Sequence, residues 1–222
     1  MSALPAEKQK LLEMFHRMLN HFGPQGWWPA DTELEVMVGA VLTQNTNWDN
    51  VEKAIANLKS KEMLNIRTLQ YLSVPELAQE IRPAGYFNIK AKRLKNLIDF
   101  IVDKYDGDIQ ELLDEETERL RRGLLSVNGI GPETADSILL YAASRPVFVI
   151  DAYTHRILIR HGMFAEEGTY YDLQQFFMDH LPEDKTLFGE FHALIVQTGK
   201  VYCRKKPKCD PCPLKGWNYL ES

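Results

Sequence analysis

Residues 124–142 read "LLSVNGIGPETADSILLYA", and this stretch decides the fold. An apolar helical run enters Asn128-Gly129-Ile130-Gly131, and Pro132, a residue favoured at the first helical position, opens a second helix. Glycines tolerate positive φ and carry no side chain, so backbone N–H groups at the turn and at the new helix N-terminus can face an anion. A DNA phosphate suits such a place. The same residues would also serve an ordinary tight turn between two packed helices.

Helical periodicity extends in both directions. Leu11, Leu12, Phe15, Met18, Leu19 and Phe22 recur at three- and four-residue steps until Gly23-Pro24 stops the run. The segment "ELEVMVGAVL" (33–42) is apolar almost all round, as in a buried central helix. Similar patterns continue to Ile195, and only "PVFVI" (146–150) reads as extended. One short extended run cannot make a sheet. The expectation is an all-α protein of about ten helices, in two helical lobes that share a cleft.

The 222 residues carry a net charge of −5, 45% apolar and 26% charged side chains, ordinary for a soluble globular protein. No apolar run reaches membrane-spanning length, and "MSALPAEKQK" has no signal core, so a cytoplasmic protein is expected. The acidic total does not exclude nucleic acid, because a phosphate backbone needs only a local basic face. Two stretches are locally basic: "IKAKRLKN" (89–96) and the segment from Lys200 to Lys215.

Twenty residues beyond Gly131, Asp151 follows the extended run and opens a helix in "VIDAYTHRI". An N-cap is a common role for Asp. A carboxylate at that position facing a cleft could also stabilise a cationic sugar transition state or position a water, as carboxylates do in glycoside cleavage.

Together, "VNGIGPETAD" and "VIDAYTHRI" resemble the helix-hairpin-helix DNA glycosylases of the endonuclease III superfamily. "GAVLTQNTNWDNVEKAI" (39–55), "IRPAGYFNIKAKRLKNL" (81–97) and the cysteine tail extend the resemblance over most of the chain after residue 27. It implies a helix-hairpin-helix glycosylase fold. The central domain spans 28–143, and a second domain joins 1–27 to 144–222, with a Cys-rich loop at 203–218. It further implies that a damaged base is extruded from double-stranded DNA, because a base cannot be reached inside the duplex, and a monomer is the default expectation. On this resemblance Asp151 is the catalytic carboxylate and Gln44 fills the gap in the stack. Asn128, Gly129, Ile130, Gly131, Glu133 and Thr134 form the DNA-contacting hairpin.

Family members that also cut the strand carry a lysine where this chain has Glu133, and a carboxylate cannot form a Schiff base. A monofunctional glycosylase is therefore expected, and the bland reading of Glu133 itself is a helix N-terminal acid that favours the dipole. Trp27-Trp28-Pro29 followed by "GAVLTQNT" resembles the 3-methyladenine branch. There Trp27, Trp28, Pro29, Trp48 and Lys200 would line the base pocket. An alkylated purine is cationic, and indole faces attract it by about 0.5–2 kcal/mol per contact. The bland alternatives are core packing for the tryptophans and a solvated surface for Lys200. A glycosylase for oxidised pyrimidines or mismatched thymine, and a catalytically silent damage binder, are the rival readings.

All three cysteines, Cys203, Cys209 and Cys212, lie in the tail "CRKKPKCDPCPLKGWNYLES". The family's iron–sulfur loop has four, and Asn218 stands at the fourth position. A [4Fe–4S] cluster normally takes four thiolates. A cluster with an unusual fourth ligand, a zinc site and a site that binds nothing are the three possibilities. Lys200, Arg204, Lys205, Lys206 and Lys208 would present a basic loop to DNA in each case.

Overall fold

The computed structural model describes residues 6–217. Asn218 and the first five residues of the N-terminal stretch lie outside them. Twelve α-helices occur among the described residues: α1 (Ala6–Phe22), α2 (Glu33–Leu42), α3 (Trp48–Ser60), α4 (Ile66–Tyr71), α5 (Val74–Glu80), α6 (Phe87–Tyr105), α7 (Ile109–Asp114), α8 (Thr117–Ser126), α9 (Pro132–Tyr141), α10 (Ala152–Arg160), α11 (Tyr170–His180) and α12 (Lys185–Val201). A 3-10 turn covers Arg82–Ala84. No strand occurs among the described residues, so the fold is all-α as the periodicity predicts. No helix among them is long and apolar enough to cross a membrane.

The chain divides into two compact units. The central unit is Pro29–Arg145, and the terminal unit combines Met1–Trp28 with Pro146–Ser222.

In the central unit α2 is buried from Leu34 to Leu42 and packs against α3, α6 and α9. Thr32 starts it by accepting from the Glu35 amide at 3.2 Å. Glu35, the acid buried with it, is paired with Lys59 at 3.0 Å. α8 and α9 are clamped by a bidentate pair: Arg121 donates to the two oxygens of the fully buried Asp136 at 2.7 and 3.0 Å. Removing one partner of such a pair costs about 3–5 kcal/mol, because the other charge is left buried.

In the terminal unit α1 buries Leu11, Met14 and Met18 and packs against α11 and α12. It ends where expected, with Gly23 at φ +72. The extended run before Asp151 has no strand partner among the described residues. Instead Gln174 Nε2 donates to the Phe148 carbonyl at 2.7 Å. The Phe148 ring stacks on Phe177 at 3.9 Å between centroids, with Phe188 and Phe191 edge-on at 5.4 and 5.8 Å. Burying each such ring contributes roughly 1.5–3 kcal/mol. This aromatic core anchors the segment that delivers Asp151.

Candidate active site

Asp151 is the N-cap of α10, and the cap uses one oxygen only. Oδ1 accepts from the Thr154 amide at 2.7 Å and from the Thr154 hydroxyl at 2.8 Å. Oδ2 lies 3.8 Å from His192 Nε2, beyond direct hydrogen-bonding distance. His192 comes from α12 and is buried. Burial pushes its imidazole below the ordinary value, while the Asp151 charge pulls the other way, so the ring is neutral at pH 7. Nothing in the sequence singles out His192, because a histidine on an apolar helix face looks like core. The N-cap and functional readings of Asp151 are compatible: one oxygen orients the group and the other remains outside the cap.

The hairpin between α8 and α9 is built in the central unit. Gly129 has φ +95, and a Cβ there would sit 2.3 Å from Arg93 Cγ. Only glycine fits beneath that side chain. Gly131 differs: among the described residues a Cβ there would meet nothing within 4 Å, and no side chain caps α9. Internal packing does not demand a glycine at 131, but close approach of an external group would. Asn128 and Glu133 are exposed, while Ile130 and Thr134 are buried.

Gln44 is tied to this hairpin. Its Nε2 donates to the Gly129 carbonyl and to Thr134 Oγ1, both at 3.0 Å, and Arg93 Nη1 donates to its Oε1. Asn96 Nδ2 also donates to the Asn128 carbonyl at 2.9 Å. One loop and one face of α6 thus hold the turn. The loop is legible in the sequence, whereas Arg93 and Asn96 are not, because their partners are 49 and 32 residues away.

Trp27 and Trp28 are half-buried rather than core, are joined by a cis peptide bond, and have ring centroids 5.3 Å apart. They belong to the terminal unit with Asp151 and Lys200, whereas Pro29 and Trp48 belong to the central unit. Trp48 Nε1 donates to Glu52 at 2.7 Å. Lys200 is half-buried on the last turn of α12.

The C-terminal end of α10 grips the cysteine loop. Arg156 Nε donates to the Cys203 carbonyl at 2.7 Å, and Arg160 Nη1 donates to the Arg204 carbonyl at 2.7 Å and to Cys203 Sγ at 3.2 Å. His161 Nδ1 lies 2.7 Å from the Trp217 carbonyl. Cys203, Cys209 and Cys212 all line one cavity of about 210 Å³. Burial pushes the Cys212 thiol up, and the charges of Cys203 and Cys209 act on it in the same direction. Among the described residues no three His, Cys, Asp or Glu side chains are placed to hold a single ion.

Fold and site together define a helical DNA-repair glycosylase. Residues 38–183 match the HhH-GPD superfamily base excision DNA repair proteins. A chain of Methanocaldococcus jannaschii, provisionally named a DNA repair glycosylase, is 48% identical over 94% of this chain and 97% of its own length. Endonuclease III of Thermotoga maritima is 31% identical over 81% of this chain and 79% of its own. Among solved structures, the 3-methyladenine DNA glycosylase MagIII of H. pylori bound to 1,N6-ethenoadenine superposes with a TM-score of 0.73 at 29% identity. It covers 89% of this chain and 98% of that one. An endonuclease III–DNA complex superposes with a TM-score of 0.81 at 22% identity over 98% and 96% of the two chains, which establishes the fold. The chain belongs to the HhH-GPD superfamily and is a DNA glycosylase of base excision repair.

Proposed function

We propose that the protein is a monofunctional glycosylase that removes alkylated purines, such as 3-methyladenine, from double-stranded DNA by base flipping and hydrolysis. The observation that carries the reaction is Asp151, with Oδ1 locked by Thr154 and Oδ2 left toward His192. When the glycosidic bond breaks, its electrons go to the cationic base, which departs neutral. The sugar becomes an oxocarbenium ion, and the adjacent carboxylate stabilises it. Water then adds to C1′ and its proton passes to the carboxylate and on to solvent. Neutral His192 is a positioning residue beside Oδ2. An already positive base needs no strong general acid.

The half-buried pair Trp27 and Trp28 supports the substrate class, since indole faces attract a cationic base. The H. pylori relative and its bound ethenoadenine support the same class. Exposed Glu133 at the lysine position supports hydrolysis without strand cleavage. The hairpin would hold the DNA backbone at the open face of Gly131.

The donor set of the tail fits an iron–sulfur cluster better than zinc. Zinc bonds sulfur at about 2.3 Å and needs its thiolates gathered around one point. Here three thiols line a cavity of about 210 Å³, and the buried Thr198 hydroxyl on its wall has no hydrogen-bond partner among the described residues. Cys203, Cys209 and Cys212 would hold a [4Fe–4S] cluster that orders the basic loop and takes no part in the chemistry.

Purified protein is incubated with methylated DNA and released bases are identified by chromatography. Release of 3-methyladenine or 7-methylguanine, no strand cleavage without added base, and a loss of about 10²–10³ in kcat for Asp151→Asn are expected. Release that survives Asp151→Asn would sink the mechanism. The likeness to the Thermotoga endonuclease III favours a second reading, an endonuclease III-like specificity instead of alkylated purines, and a panel of lesion duplexes separates the two.

A further inference from the structure

The missing fourth thiolate leaves a question that the cavity answers. Its wall includes His161, the C-cap of α10, together with the three cysteines. The His161 ring holds the tautomer that a metal-bound imidazole takes. Nδ1 is 2.7 Å from the Trp217 carbonyl, and a carbonyl only accepts, so Nδ1 carries the proton. Nε2 is left with the lone pair. Histidine ligands characteristically donate their other N–H to a backbone carbonyl, which fixes the tautomer and raises ligand basicity. The rest of the wall suits an anionic cluster. Arg160 donates to Cys203 Sγ at 3.2 Å, Lys208 and Lys215 share the lining, and the Thr198 hydroxyl has a hydrogen to offer a sulfide.

We propose that His161 Nε2 is the fourth iron ligand, completing a Cys₃His set with Cys203, Cys209 and Cys212. This rests on the cluster reading above. Histidine replaces cysteine on iron in other iron–sulfur proteins and raises the reduction potential. An asparagine carboxamide, as at position 218, is a poorer iron donor than a neutral imidazole. The sequence spacing concealed this ligand, because His161 lies 42 residues before Cys203 and outside the cysteine tail.

The test uses the full chain purified anaerobically, with iron and sulfide assays followed by pulsed EPR of the cluster in a paramagnetic oxidation state. The expected result is a four-iron cluster with a nitrogen coupling that changes isotope pattern when the six histidines are labelled with ¹⁵N. This readout needs no variant to fold. His161→Cys should keep four irons, lose the nitrogen coupling and lower the potential, and His161→Ala should give a three-iron signal. A loaded cluster without histidine coupling, or four irons and an unchanged spectrum in His161→Ala, would overturn the ligand and leave the cluster standing. An iron-free, colourless preparation would overturn the cluster reading itself, and the ligand with it.

Discussion

The segments "IKAKRLKN" (89–96) and "CRKKPK" (203–208) look alike as sequence, both short, basic and free of acids. In the structure they do opposite things. Lys90 is 1% exposed and donates to the Leu42 and Ala84 carbonyls at 2.8 and 2.7 Å. Arg93 is bound to Gln44, and Lys95 donates to the Leu69 carbonyl at 3.0 Å. Of the segment's four cations only Lys92 is fully exposed. In the tail Arg204, Lys205, Lys206 and Lys208 are all exposed. The first segment is therefore an internal fastener for carbonyls at helix ends and for the hairpin. The second remains available to phosphate.

Lys90→Met should break the comparison most severely. It leaves two buried carbonyls without a donor, each worth about 1–3 kcal/mol, so urea unfolding should show a loss of roughly 2–5 kcal/mol. Burial pushes the Lys90 ammonium down to about 8, so the unfolded chain holds this proton more tightly than the folded one. The stability of wild type relative to Lys90→Met should thus rise as pH climbs from about 8 toward the ordinary lysine value of 10.5. A flat difference across that window would contradict the burial.

Arg93→Ala should cost less, about 1–2 kcal/mol in the same measurement, because one partly buried charged hydrogen bond is lost. It should also weaken DNA binding by loosening Gln44 and the hairpin turn. Replacing Arg204, Lys205, Lys206 and Lys208 with Ala should leave unfolding within about 0.5 kcal/mol of wild type. It should flatten the dependence of log K on log salt by about 0.9 for each phosphate contact removed. An unchanged salt slope would mean that the tail does not touch the backbone. Gly131→Ala sharpens the point with the smallest stability effect. No internal atom opposes the new methyl, so the unfolding midpoint should stay nearly constant while DNA affinity falls.

The contrast marks what could be read from the chain. The helix-hairpin-helix was legible because Gly129, Gly131 and Pro132 act within a few residues of one another. Asp151 was legible as a cap for the same reason, since its Oδ1 reaches only to Thr154. The surroundings of its other oxygen were not legible: Oδ2 lies 3.8 Å from His192, 41 positions later on another helix. Gln44 was picked out by its loop, yet its bonds to Gly129 and Thr134 join residues 85 and 90 positions away.

The sequence by itself determined the all-α class, the helix ends, the turn and the carboxylate at the head of α10. Each depends on hydrogen bonds and torsions spanning about one helical turn, which a local pattern encodes. Only the tertiary structure decided which cations face inward, that a buried histidine stands beside Asp151, and that His161 shares a cavity with three thiols. These are contacts between helices far apart in the chain, where burial and geometry select the partner and composition does not.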